Sequence, residues 1–409
     1  MIRELFIENY KSVQKLEMEL GRFTVLVGEN GCGKTNILES VALCSAAANY
    51  KLDNEFLVSR GIRVTDDPRF MRALFNKENI TKEIKICLKE RSGKSFQCLL
   101  QNDNKPYSKW VNKEDEPCDI DKQFIEVSKH SFIRLFENEF EKYVANEPDT
   151  CFSENVAHLK KGIKSRLELI KETAEDFYHS FCHIIMLINA VPRLHKFLVF
   201  SPEKNFLRTF EKQGQIRPLG VKGEGLFKLL KVISSDVKKE RFDEIKEMLR
   251  LTGWLKDIEI PQDSPFNEKV VLIKDRYLDE SLDFIDQKNS SEGFMFLLFY
   301  FTLFISNKTP DFFAIENIDA SLNPKLCSRI IKELVRLAEK YDKQVIVTTH
   351  NSAVLDGLNI DIDNQRLFVI YRNESGSTEA KRIFKQDIPE NVKLSEAYLS
   401  GKIGGIPSF

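Results

Sequence analysis

The sequence predicts an α/β fold with a mixed central sheet, an antiparallel β-subdomain near the N-terminus and a helical insertion in the middle. Three observations predict it. Residues 23–27 form an apolar strand that runs into Gly28-Glu29-Asn30-Gly31-Cys32-Gly33-Lys34-Thr35 and then a helix-like stretch, 36–48. The final third alternates strand (312–315), helix (325–341), strand (345–348), helix and strand (366–371), the rhythm of parallel-sheet units. Residues 1–27 and 84–100 instead alternate apolar and polar positions with the period of two that a half-buried strand needs.

Leu5 and Ile7, then Leu16, Met18 and Leu20, then Phe23, Val25 and Val27 mark the first strands. Ile84, Ile86 and Leu88 face Phe96, Cys98 and Leu100 across Arg91-Ser92-Gly93-Lys94, a hairpin signal with glycine in the turn. Residues 102–119, rich in Lys, Asp, Asn and Glu, read as a surface loop. Leu159, Ile163, Leu167, Ile170, Phe177, Phe181 and Ile185 recur at three- and four-residue steps, so one or two amphipathic helices are expected over 154–190. A helix follows Pro202, further helices run through Arg250, and 257–285 reads as strands. The run from Phe294 to Ile305 is too short to span a bilayer and reads as a buried core helix. The expected division is 1–150 as an N-terminal lobe, 151–255 as a helical insertion and 256–409 as a C-terminal lobe, the two lobes making one domain.

Length and composition fit this reading. At 409 residues the chain can hold one large α/β unit with an insertion, and 42% hydrophobic with 30% charged residues excludes a disordered or fibrous chain. A net charge of -1 announces no nucleic-acid binder, although a local basic face such as Lys160, Lys161, Lys164 and Arg166 is compatible with it. No apolar signal-peptide core follows Met1, and no membrane partner is expected. Cys32, Cys44, Cys87, Cys98, Cys118, Cys151, Cys182 and Cys327 lie singly, as expected of reduced thiols in a cytoplasmic protein.

Gly28-x-x-x-x-Gly33-Lys34-Thr35 is a phosphate-binding loop residue for residue. Its glycines let successive backbone N–H groups point at phosphate oxygens, and the helix from Asn36 adds the positive end of its dipole. Asn30, Gly31, Cys32, Gly33, Lys34, Thr35 and Asn36 are the candidate nucleotide contacts. Lys34 would reach the β- and γ-phosphates of ATP, and Thr35 would place its hydroxyl on Mg²⁺. Glu316, ending the strand 312–315, is the carboxylate that would share that Mg²⁺. His350 ends a second β-branched strand, and Ser290-Ser291-Glu292-Gly293 precedes the apolar helix.

In this order the chain resembles the ABC-type ATPases of the RecF/SMC/OLD-like, AAA-named branch. Ile7-Glu8-Asn9-Tyr10-Lys11-Ser12 resembles the family's opening strand and turn, Ser291-x-Gly293 its signature, Ala320-Ser321-Leu322-Asn323 its D-loop and His350 its switch histidine. The resemblance implies a P-loop NTPase head of two lobes that works as a dimer, with each ATP held by one copy's P-loop and closed over by the other copy's Ser291 and Gly293. It also implies an Asp-Glu pair at the end of the second strand, where this chain has Glu316-Asn317. Asn317 cannot take a proton, so hydrolysis is expected to be slow, with Asp319 as a substitute base.

Only 59 residues follow His350 in this sequence, too few for the nuclease domain that OLD-type relatives append; Asp361-Ile362-Asp363 therefore reads as a loop. His179 and His183 have metal-compatible spacing without a third ligand. The expected function is an ATP-dependent switch that pairs with itself and gates a separate effector, a nuclease or toxin, in bacterial anti-phage defence. The alternatives are a RecF-like DNA-repair ATPase and an ATP-binding scaffold without turnover.

Overall fold

The computed structural model describes residues 1–105, 108–115, 191–210, 218–237, 239–261, 269–279 and 281–404. Residues 1–112 and 191–409 form one unit and 113–190 a second. The second unit lies almost wholly outside the described residues, together with the helices expected over 154–190, the group Lys160, Lys161, Lys164 and Arg166, and His179 and His183.

In chain order the first unit runs β1 (Ile2–Tyr10), β2 (Val13–Glu19), β3 (Phe23–Gly28), α1 (Lys34–Ala48), α2 (Asn54–Ser59), β4 (Ile84–Glu90), β5 (Ser95–Gln101) and β6 (Val111–Asn112). It continues with β7 (Val199–Phe200), α3 (Lys204–Thr209), α4 (Leu226–Ser234), α5 (Glu240–Leu249), β8 (Leu255–Glu259), β9 (Leu272–Asp275) and β10 (Ile285–Asp286). Then come α6 (Glu292–Ile305), β11 (Phe312–Ile315), α7 (Pro324–Lys340), β12 (Gln344–Thr349), β13 (Gln365–Arg372), β14 (Thr378–Ile383) and α8 (Leu394–Leu399).

The main sheet has the order β14-β13-β3-β12-β11-β7. Only β14 is antiparallel, so the sheet is mixed at one edge. Both its faces are buried, which is why its strands read as continuous apolar runs. Phe23, Val25 and Val27 of β3 and Phe313 and Ile315 of β11 enter one core, while Leu26, Phe312 and Ala314 enter the other. The first core is dominated by α6, whose residues from Phe294 to Ile305 are all buried. A helix apolar on every side satisfies itself only inside protein or lipid; here Phe200 and Phe313 meet its rings edge-on. No helix among the described residues is long and apolar enough to cross a membrane.

The second core holds α1 and the antiparallel sheet β2-β1-β4-β5-β6. Alanine at 42, 46, 47 and 48 keeps α1 thin enough to lie between the two sheets. A third, smaller sheet, β10-β9-β8, supplies the strands expected over 257–285.

The structure departs from the sequence reading in three places. The helix expected between the strands at 345–348 and 366–371 is a short 3-10 helix, Ser352–Gly357, entered through an Asn351 cap. A Cβ at Gly357 would lie 2.7 Å from the Ser328 carbonyl, so only glycine allows the segment to press this closely on α7. Within the expected loop 102–119, Val111 and Asn112 pair with β5 as β6. Residues 50–83, where the sequence analysis names no element, contain α2 and a fully buried Arg72, which donates to the Lys82 and Asn102 carbonyls and stacks on Trp110.

Candidate functional site

The ends of three parallel strands meet at one place: β3 leads into the phosphate loop, β11 into Glu316 and β12 into His350. Residues 28, 316 and 350 are thereby neighbours because β12 lies between β3 and β11. The loop's backbone requires its glycines. Gly31 and Gly33 have φ of +76° and +107°, and a Cβ on Gly33 would stand 2.1 Å from Thr378 Oγ1 and 2.7 Å from Ser12 Oγ.

Lys34 is 6% exposed, and its ammonium donates to the Gly28 and Glu29 carbonyls at 2.8 Å each. Burial pulls it below its ordinary value, against the opposing charges of Cys32, Glu316 and Asp319. The Thr35 hydroxyl donates to a Glu316 carboxylate oxygen. One hydroxyl and one carboxylate in contact at the head of a helix are hard oxygen donors that fit Mg²⁺, which takes few protein ligands beside phosphate and water. Burial, then the Lys34 charge, lowers the His350 imidazole, while Asp319, Glu316 and a hydrogen bond to the Gly28 backbone oppose this.

Asn317 is exposed and left-handed at φ +51°, and its N–H donates to Thr348 Oγ1 at 3.0 Å. Asparagine tolerates that conformation better than glutamate, so the backbone supplies a reason for its presence beyond chemistry. The Asp319 carboxylate accepts from Thr349 Oγ1 at 2.6 Å.

Ser291 and Gly293 lie elsewhere, in a groove of about 470 Å³ shared with Trp254, Ser321, Asn323, Lys325 and Arg329. Ser291 caps α6, accepting from the Phe294 N–H at 3.3 Å. A Cβ on Gly293 would stand 2.9 Å from the Ser321 carbonyl, and Ser321 Oγ donates to Glu292 at 2.5 Å, so the D-loop and the start of α6 are locked together.

Sequence reasoning singled out Asn36 and Ser12 but missed that they brace the loop from behind, and missed Thr378 and Arg372 altogether. Asn36 Nδ2 donates to Ser12 Oγ at 2.6 Å, Ser12 and Thr378 hydroxyls are 2.7 Å apart, and Thr378 Oγ1 donates to the Cys32 carbonyl at 2.8 Å. Thr378 has one proton, so Ser12 is the donor between the two. Arg372 Nε donates to the Gly31 carbonyl at 3.0 Å. The turn cluster Asn373-Glu374-Ser375-Gly376-Ser377 could have signalled the β13–β14 hairpin that carries Arg372 and Thr378. The D-x-D lookalike is structural: Asp363 is held by Arg3, Arg366 and Arg382, whose hydrogen bonds and charges keep its carboxyl well below the usual range.

Two family models match the chain. One, described as "AAA ATPase domain", matches residues 1–181, and one described as "AAA domain, putative AbiEii toxin, Type IV TA system" matches residues 166–356. Among curated proteins, the DNA replication and repair protein RecF of Clostridium acetobutylicum is 28% identical over 86 residues, 21% of this chain and 23% of that protein. The OLD nuclease of Thermus scotoductus is 28% identical over 86 residues, 19% of this chain and 16% of that protein. The chain thus spans less than a quarter of the length of either relative. Among solved structures, an Smc head bound to the C-winged helix domain of ScpA has a TM-score of 0.53 at 12% identity, covering 94% of this chain and 98% of that one. That likeness is one of fold.

Proposed function

We propose that this chain, an AAA-named, ABC-type ATPase of the RecF, SMC and OLD kind, is an ATP-driven switch that closes as a homodimer around ATP and gates a separate effector. One observation carries the reading. Lys34, Thr35, Glu316 and His350 converge at the phosphate loop, whereas Ser291 and Gly293 open on a groove that shares no residue with that loop. A half-site for phosphate at each of two places on one chain is complete only when two copies meet.

At the loop, the backbone N–H groups and Lys34 would hold the β- and γ-phosphates, with Thr35 and Glu316 holding Mg²⁺, whose part is to neutralise charge on the phosphates. Lys34 would exchange the Gly28 and Glu29 carbonyls for phosphate oxygens. His350 would hydrogen-bond near the terminal phosphate, and Asn317 would orient water without accepting its proton. Slow turnover then favours a long-lived closed dimer, suited to holding an effector in one state. The family description that names a putative toxin of a Type IV TA system supports a toxin-system setting; a nuclease or toxin as the effector and a role in anti-phage defence are our extension of it.

Light scattering on the full chain tests the switch: the mass should double with ATP and Mg²⁺ and fall back as ATP is consumed. A single-copy mass at saturating ATP would refute it. The RecF similarity favours a second reading, direct DNA binding; steeply salt-dependent affinity for duplex DNA would support it.

A further inference from the structure

The chain has two tryptophans. Trp110 is buried, whereas Trp254 is only half-buried. Trp254 immediately precedes β8, and its carbonyl accepts from the Arg276 N–H at 2.9 Å, which fixes its backbone. Its ring packs on Phe294, in the first turn of α6, with centroids 5.2 Å apart. The indole also lines the groove of about 470 Å³ on which Ser291 and Gly293 open. A tryptophan anchored in this way offers a large contact area at little cost in rotamer entropy.

Two kinds of side chain bound that groove. Trp254, Leu322 and Leu326 give it a half-buried apolar wall, and Lys325 and Arg329 give it exposed positive charge. No carboxylate lines it. Lys325 and Arg329 are four residues apart on α7, a spacing at which like charges destabilise a helix. Neither forms an ion pair among the described residues. An anion lying across them would relieve that repulsion. The fitting occupant is therefore anionic in one part and flat and apolar in another. A nucleoside triphosphate is both. A phosphate group alone would leave the wall unused, and an apolar peptide would leave the two cations unmatched.

We propose that Trp254 is a specificity-determining contact between copies: its ring stacks on the base of the nucleotide carried by the other copy's phosphate loop. The proposal rests on the dimer reading above. It goes past that reading by making the base, and not the phosphates alone, a condition for closing. Each copy then tests the identity of what its partner holds.

The test compares ATP with inorganic tripolyphosphate, which has the phosphate chain and no base, each with Mg²⁺, by light scattering on the full chain. Stacking of a base on an aromatic ring corresponds to roughly five- to 150-fold in affinity. The wild type should double in mass at an ATP concentration lower than that of tripolyphosphate by at least the smaller of those factors. Trp254→Leu, which keeps an apolar side chain against Phe294, should raise the ATP requirement and close most of the gap; Trp254→Phe should restore part of it. At dilutions where the chain stays single, wild type and Trp254→Leu should bind ATP equally, because the stacking ring belongs to the other copy. A tryptophan that merely touched the other protomer would weaken pairing with both ligands alike. That result, or wild-type ATP dependence in Trp254→Leu, would overturn the proposal. Trp110→Phe gives a readout with residue 254 intact. Emission from the remaining Trp254 should shift as the mass doubles with ATP and stay unchanged while the chain is single. Unchanged emission through the doubling would overturn the proposal as well. A wild type that never doubles in mass at saturating ATP would instead refute the dimer reading.

Discussion

Asn317→Glu tests why turnover should be slow. The backbone there has φ +51°, and placing glutamate in that region costs about 1 kcal/mol more than asparagine. The side chain is exposed, so no burial cost is added, and the N–H bond to Thr348 Oγ1 survives the change. A loss of about 1 kcal/mol lowers Tm by about 2 °C in a large domain. Against this, a carboxylate beside the attacking water is worth roughly 10²–10⁴-fold in rate, or about 3–5 kcal/mol. The catalytic gain therefore exceeds the strain several times over. Single-turnover hydrolysis by the wild type, Asn317→Glu and Asp319→Asn should show a rise of a hundredfold or more in Asn317→Glu and a shorter-lived ATP dimer. If wild-type turnover is already ordinary and Asn317→Glu leaves it unchanged, Asn317 is there for its backbone conformation. In that case the base is Asp319 or Glu316, and loss of turnover in Asp319→Asn would identify Asp319.

Lys34→Ala should abolish ATP binding in a direct titration, since the ammonium buried under the loop is lost. Ser291→Arg should leave ATP binding by the single copy intact, cost about 1 kcal/mol through the lost cap of α6, and block the ATP-dependent doubling of mass seen by light scattering. Gly33→Ala should lower Tm by several degrees and weaken ATP binding at least tenfold, because its Cβ would overlap Thr378 Oγ1 at a φ that costs alanine about 1–2 kcal/mol; an unaltered melt would contradict the loop geometry. The fold holds the His350 imidazole below its ordinary value of 6.5, so it favours the neutral form. Its contribution should be fully present above about pH 6.5 and fade as pH falls below that value. The Tm difference between wild type and His350→Gln should be flat from pH 7 to 8 and shrink toward pH 5.

What the sequence made legible was local. A strand, a glycine loop and a helix are contiguous from residue 23 to 48, and the strand ends at Glu316 and His350 carry their own β-branched patterns. Backbone preference and burial speak over short windows, so the strands at 312–315 and 345–348 and the helix at 292–305 could be read directly. The bracing of the site was not legible, because a hydroxyl such as Ser12 or Thr378 carries no mark of its partner. Glu39 did leave a trace. It is a carboxylate between Leu38 and Val41 in a helix with no exposed face, which demands cationic partners, but nothing local says that they are Lys11 and Arg63. The 3-10 segment at Ser352–Gly357 was misread because its close approach to α7 at Gly357 is a tertiary contact that no local window reveals.

The hydroxyl chain behind the phosphate loop has a consequence for how the protein is made. The loop's own residues emerge early from the ribosome, but 346 residues separate Cys32 from the Thr378 hydroxyl that holds its carbonyl. β3 has no neighbour in its sheet until β12 and β13 exist. At about 5–20 residues per second, the nascent loop waits roughly 20–70 s before its backing arrives. During that interval it is a glycine-rich tether beside an apolar strand that lacks its sheet partners. A nucleotide that needs the braced loop would bind only once residue 378 has been made.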